Sequence, residues 1–184
     1  LRTAAMVSWV DILPTLVEVA DGAAPDQIDG RSFLSVLRGE TTGHRNRIFA
    51  THSGDKEMNV YPIRAVRTER WKYIWNLHPE FQHTTHVDRA QAEDETGYWR
   101  SWERAADAGN ARAKELVHRY RERPEEELYD LENDPFEQMN LAASPQHAEQ
   151  RESLRSELEQ WMTAQGDRKK VYDKPLLLDP SARN

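Results

Sequence analysis

The sequence predicts an α+β fold: a four-stranded antiparallel sheet packed by a long C-terminal helix, with a helical insertion before the last strand. Three observations carry this. Strand-like segments at 47–52, 63–68 and 71–76 lie close together, and Trp71, Tyr73 and Trp75 fall on one face by the period of two. Ser144-Pro145 opens a stretch in which Leu154, Leu158, Trp161 and Met162 recur at helical spacing. About fifty residues of polar, partly helical text separate the third strand from a short fourth at 128–131.

Taken in order, Ser8-Trp9-Val10-Asp11 opens the first helix, with Ser8 able to cap it and Asp11 facing its positive end. Val10, Leu13, Val17 and Ala20 then recur at helical spacing. Pro14 fits only if the helix starts late or kinks there, because proline has no N–H to give. Asp21-Gly22 ends the segment. Asp29-Gly30-Arg31-Ser32 is a second break, and Ser32 is placed to cap a short apolar helix over 33–37. Only Glu69-Arg70 separates the second and third strands, so these form a hairpin, although its turn lacks the usual glycine. In the insertion, 78–94 has no clear period. Residues 95–121 read as helix broken at Gly109, with Trp99, Trp102 and Ala106 on one stripe and Leu116, Val117 and Tyr120 on another. The last helix runs to about Ala164 and stops at Gly166, and the charged, then Pro-rich tail is expected as an extended arm. A sheet with one apolar face needs a partner layer, so Trp71, Tyr73 and Trp75 should lie beneath Leu154, Leu158 and Trp161. Trp161→Ala is expected to cost ~3–5 kcal/mol if that ring is fully buried.

Composition narrows the function. With 38% hydrophobic and 31% charged residues, the chain predicts a small core and much exposed helix and loop. A formal net charge of −7 argues against a nucleic-acid binder, which needs a basic footprint. No apolar run approaches the ~20 residues of a membrane span. The absence of Cys removes disulfides and thiolate zinc sites. The chain opens Leu1-Arg2-Thr3, with no charged start leading into an apolar run, so no signal peptide is expected. Such an opening suits a segment of a longer chain, and a processed chain would look the same.

The stretch Glu127-Leu128-Tyr129-Asp130-Leu131, followed by Asp134-Pro135, Glu137 and Asn140-Leu141, resembles the ELYDL…DP.E..NL signature that closes the type I, formylglycine-dependent sulfatases of the alkaline-phosphatase superfamily. Val7-Ser8-Trp9-Val10-Asp11-Ile12-Leu13-Pro14-Thr15-Leu16 is similar to that family's VS.VDI.PTL helix, and Asp29-Gly30-Arg31-Ser32 to its DG.S turn. Ile63-Arg64-Ala65-Val66-Arg67-Thr68, with Trp71-Lys72-Tyr73-Ile74, is similar to its R.VRT..yKYI hairpin. The four stand in the family's order across nearly the whole chain. The insertion, from Asn76-Leu77-His78-Pro79-Glu80-Phe81 onward, looks like that of the bacterial heparan N-sulfatase-like group.

The resemblance implies three parts. Residues 1–45 would be junction helices belonging with a missing N-terminal catalytic domain. Residues 46–166 would be the C-terminal sulfatase subdomain of the alkaline-phosphatase-like fold, with its helical insertion at 78–123, and 167–184 an extended tail. It also implies a sulfated carbohydrate substrate, a periplasmic or secreted location, and calcium and formylglycine as cofactors, both outside this chain. Formylglycine is made from Cys or Ser in a C/S-x-P-x-R motif; this chain has no Cys, and none of its Ser residues sits in one. No catalytic residue and no metal ligand is therefore carried over. Two other readings stay open: a free-standing binding or scaffold module of the same fold, and a phosphoric or phosphonic ester hydrolase of the superfamily.

Five polar residues form the densest candidate site: His78, Glu80, His83, His86 and Asp88. They read as an ordinary polar loop, or as a substrate-facing loop whose imidazole and carboxylate groups bond sugar hydroxyls. A third reading is a zinc or iron site on His83-x-x-His86 with a nearby carboxylate, which the lack of a second ligand pair at fixed spacing disfavours. His52, at a strand end before Ser53-Gly54-Asp55, is a further candidate to face the cleft. The substrate-binding set is thus His78, Glu80, His83, His86 and His52, and His83→Ala and His86→Ala are expected to weaken turnover of a glycan while sparing a small aryl sulfate. Arg64, Arg67, Arg70 and Lys72 form the one basic cluster on strand text; they suit an oxyanion or simply pair with nearby Glu. Arg67 reads as a structural clamp. The acidic ELYDL stretch reads as packing and turn structure rather than chemistry.

Overall fold

The computed structural model describes residues 2–53, 61–89 and 97–169. Four strands, β1 (Ile48–His52), β2 (Ile63–Arg67), β3 (Trp71–Asn76) and β4 (Glu126–Asp130), pair antiparallel in the order β1-β2-β3-β4. The fourth begins two residues earlier than expected, because Glu126 and Glu127 continue the ladder opposite Trp75 and Ile74. The hairpin between β2 and β3 closes without glycine. Thr68 replaces it: its N–H donates to the Trp71 carbonyl at 2.7 Å, and its Oγ1 accepts from the Trp71 N–H at 2.8 Å.

Register places Val66 opposite Tyr73 and Tyr73 opposite Leu128, so these side chains share one face. The helix α6 (Ala148–Ala164) lies across it. Val66, Tyr73, Trp75, Leu128, Leu154, Leu158 and Met162 form one buried cluster, edged by Phe49, Trp71 and Trp161. Trp161 departs from expectation. It sits at the margin, stacked on Phe49 with ring centroids 4.8 Å apart, and is only partly buried, so the cost expected for full burial does not apply. The start of the helix also differs. Pro145–His147 form a single 3-10 turn first, and the Ser144 hydroxyl meets the His147 ring at 3.0 Å rather than capping the backbone.

The second sheet face is covered too. The insertion folds into α3 (His86–Arg89), α4 (Gly97–Asp107) and α5 (Ala111–Arg121), and Trp99, Leu116 and Tyr120 line a groove with Lys72, Ile74 and Tyr129 from the sheet. Trp99 is buried and Trp102 is 43% exposed, so only the first of that pair is core. The break at Gly109 holds φ at 90°, a left-handed value that side chains disfavour, and Asn110 Oδ1 then caps α5 by accepting from the Ala113 N–H at 3.0 Å.

Ahead of the sheet, a 3-10 turn at Trp9–Asp11 runs into α1 (Ile12–Val19), and α2 (Leu34–Leu37) comes next. Pro14 is the third residue of α1, in the first turn, where its missing N–H leaves no bond broken. Gly30 is required by close approach: a Cβ there would lie 1.9 Å from the Val10 carbonyl oxygen. The apolar spacing of α1 does not lead to burial in this chain. Trp9 is 88% exposed, and Leu13, Leu16 and Val19 are each more than half exposed. Among the described residues no helix is long and apolar enough to cross a membrane. The expected arm beyond residue 169 lies outside the described residues.

Candidate functional site

Antiparallel pairing decides which loops share an end of the sheet. His52 closes β1 and stands in register with Ile63, which stands in register with Asn76. His52 and the segment starting at Leu77 therefore leave the same end. The segment is tied down at once: the Leu77 N–H donates to the Pro62 carbonyl at 3.1 Å, and buried Asn76 gives its side-chain amide to the Pro124 carbonyl at 2.6 Å. Two of the candidates then reach the surface. His78 Nδ1 meets Glu80 Oε1 at 2.8 Å, the pair is open to solvent, and this hydrogen bond lowers the Glu80 pKa. His52 is exposed at its strand end. His86 opens α3; its side chain lies outside what the structure describes.

His83 is turned the other way. It is buried, with its ring edge-on to Tyr61 at 5.2 Å and to Tyr120 at 4.7 Å. Nδ1 lies 3.1 Å from the Tyr120 carbonyl, an acceptor only, so it carries the proton; the His83 N–H donates to the Arg121 carbonyl at 2.8 Å. Beside it, Asp88 Oδ1 accepts from the buried Thr84 hydroxyl and from the Thr85 N–H, both at 2.8 Å. Loop and helix end are thus one packed unit. Burial pushes the His83 pKa down to about 4, with the Arg123 charge adding to the effect. The unfolded imidazole takes up its proton near pH 6.5 while the folded one does not, so stability is full above that value and falls as pH drops toward 4. The slope should approach one proton, about 1.4 kcal/mol per pH unit. Urea unfolding at pH 7 and pH 5 checks this: His83→Phe should shrink the difference between the two, and an unchanged difference would show that His83 is not held neutral.

The basic strand cluster is engaged in structure. Arg64, 1% exposed, forks onto Asp167 and donates to the His52 carbonyl at 2.9 Å, which pins the chain beyond α6 to the sheet. Lys72 bonds Glu137 at 2.8 Å. The clamp expected at Arg67 is provided by Arg70, whose guanidinium meets both Asp130 oxygens at 3.1 and 2.7 Å and holds the Asp130 pKa down to about 2. Arg67 itself is exposed. The ELYDL stretch is architecture. Buried Glu127 accepts from Tyr129 OH at 2.5 Å and from Asn76 at 2.7 Å, and Asn140 Oδ1 accepts from the Leu128 and Ala142 N–H groups at 2.9 Å each. Among the described residues no group of three or more His, Asp or Glu is arranged to hold a metal ion.

The strongest polar node was not singled out by sequence. Asp11 is fully buried and accepts from the Ser8 N–H at 2.9 Å, the Arg31 N–H at 3.0 Å, Arg45 Nε at 2.7 Å and a second Arg45 nitrogen, with His44 Nε2 at 3.2 Å. Burial alone would raise its pKa; Arg45 and the two backbone donors outweigh that and hold it well below the usual carboxylate range. Three separate segments thus meet on one side chain. Spacing gives no hint of this, because His44 and Arg45 lie more than thirty positions away.

The meander sheet backed by a C-terminal helix is a fold this chain shares with solved sulfatases. The chain belongs to the family described as N-sulphoglucosamine sulphohydrolase, C-terminal, whose model matches residues 2–96, just over half of it. It is 34% identical over 165 residues to an ulvan-active sulfatase of Formosa agariphila, covering 88% of this chain and 30% of that protein. It is 28% identical over 180 residues to the N-sulphoglucosamine sulphohydrolase of Homo sapiens, covering 85% of this chain and 32% of that protein. A solved 2-O GAG sulfatase superposes with a TM-score of 0.57 at 25% identity, over 90% of this chain and 27% of that one. The chain therefore spans under a third of the length of these relatives.

Proposed function

We propose that the chain is the C-terminal part of an enzyme that hydrolyses sulfate esters or sulfamates on a carbohydrate, and that it completes the fold and lines the substrate cleft without carrying the nucleophile. The observation that supports this most is the family match over a chain that spans under a third of its relatives. Residues 1–45 would join a catalytic domain, 46–166 form the subdomain with its insertion at 78–123, and 167–184 extend from it. The exposed apolar residues Trp9, Leu13, Leu16 and Val19 favour that docking, since such a patch on a monomer marks an interface. β1 is an edge strand, exposed toward its end, with the α1 segment near its start and His52 at its finish. A domain lying along this edge would reach both. Calcium and formylglycine would belong to that domain and supply attack on sulfur and charge stabilisation there.

Within the cleft, His78 and Glu80 would bond sugar hydroxyls, with His52 at the same end of the sheet and His83 positioning the loop from beneath, and His86 belongs to the same proposed set. Two experiments test the reading. The isolated chain, assayed with a chromogenic aryl sulfate and calcium, should show no turnover, because the reaction needs a nucleophile the chain lacks; turnover that co-purifies with the chain would overturn it. In the complete enzyme, His78→Ala should lower kcat/KM for the glycan and spare the aryl sulfate, since unmatched hydrogen bonds penalise only the substrate that reaches them. His83→Ala should lower both through the fold. Equal loss on both substrates for His78→Ala would remove it from the site.

A further inference from the structure

On the sheet face opposite α6, a groove of about 400 Å³ opens between α4, α5 and the turn after β4. Two aromatic side chains in its lining are open to solvent: Trp102 at 43% and Phe136 at 80%. The turn that presents Phe136 is built. Glu137 is held at a left-handed φ of 54° while its carboxylate takes two bonds from Lys72, at 3.0 and 2.8 Å, and Asp134 accepts from the Met139 N–H at 2.7 Å. The donors are unevenly used. Lys72 is matched by Glu137 and Arg123 by Glu127, whereas Arg119 gives one N–H to the Gln138 carbonyl at 2.8 Å and meets no carboxylate within ion-pair distance among the described residues. Buried Trp99, also in the lining, carries an indole N–H with no acceptor among the described residues. In a chain of net charge −7, the groove is thus locally cationic and aromatic. It also lies beside β3 and β4, away from the β1 edge that would meet the catalytic domain.

We propose that this groove is a second, non-catalytic subsite for a sulfated oligosaccharide, with a sugar ring against Trp102 and Phe136 and a sulfate on the N–H groups that Arg119 does not give to the Gln138 carbonyl. An aromatic face offers the apolar side of a sugar a flat, rigid surface, and a guanidinium matches an oxyanion in two places. This rests on the reading of the chain as part of a carbohydrate sulfatase. The test is calorimetric titration of the chain with a heparin hexasaccharide and with its desulfated form, at fixed ionic strength. The sulfated form should bind, and Trp102→Ala and Arg119→Gln should each weaken it by about tenfold or more, while Arg38→Gln, which removes an exposed cation outside the groove, changes it by less than about twofold. The melting temperature of Trp102→Ala should stay at the unsubstituted value, because that side chain lies at the groove surface. Equal binding of the desulfated form, or undiminished binding by Trp102→Ala, overturns the proposal. So does a dimer in sedimentation that Trp102→Ala dissolves without any oligosaccharide binding. If the groove variants bind normally and His78→Ala does not, only the groove assignment falls; if the complete enzyme turns over no sulfated glycan, the sulfatase reading falls instead.

Discussion

Truncating Leu158 to Ala should lower the unfolding free energy by about 3–4 kcal/mol. Leu158 is fully buried on α6, in the cluster where that helix meets Tyr73, Trp75 and Val66 of the sheet. The loss has two sources: the transfer energy of the removed carbons, and a cavity that rigid aromatic neighbours cannot collapse to fill. Trp161→Ala, three positions on, should cost only about 1–2 kcal/mol despite the larger side chain, because that ring stacks on Phe49 at the margin and keeps one side toward water. Urea unfolding of both variants checks the order. If Trp161→Ala is the more damaging, the anchor of the helix is at its C-terminal end and the buried cluster is misassigned.

Asp11→Ala should open the segment before the sheet by about 3 kcal/mol, the low end for removing one partner of a buried ion pair. Its carboxylate is the common acceptor for Ser8, Arg31 and Arg45, so truncation leaves two backbone donors without an acceptor and the Arg45 guanidinium with the Asp29 carbonyl in place of an ion pair. Amide exchange reads this locally: the Arg31 N–H, bonded to Asp11 Oδ1 at 3.0 Å, should exchange about a hundredfold faster or more. The pH sign comes from the depressed pKa. The contribution is present above the ordinary carboxylate range near pH 4 and is lost only under stronger acid. A double-mutant cycle with Arg45→Ala should give a coupling of about 2 kcal/mol. A coupling below about 0.5 kcal/mol would mean that the guanidinium finds water as good a partner, and that the node holds by its backbone bonds alone.

Two kinds of information are written into the chain. The alternation of Trp71, Tyr73 and Trp75, the proline-marked start of the last helix and the turn chemistry around Asp130 and Asp134 were legible without coordinates. Each is a local rule, in which side-chain period or a hydrogen bond to near backbone decides the conformation. The resemblance carried by ELYDL and the three segments ahead of it gave the family for the same reason. What only the tertiary structure decided is which way the polar residues face. The cluster His78, Glu80, His83 and His86 reads as one site in sequence, yet His78 and Glu80 pair at the surface while His83 is packed between Tyr61 and Tyr120. Arg64 looks like a ligand for an anion and is instead the buried partner of Asp167, over a hundred positions away. An ionisable side chain takes its role from whichever oppositely charged or aromatic group the fold brings to it. That partner is fixed by sheet register and helix docking, which the spacing of residues along the chain does not encode.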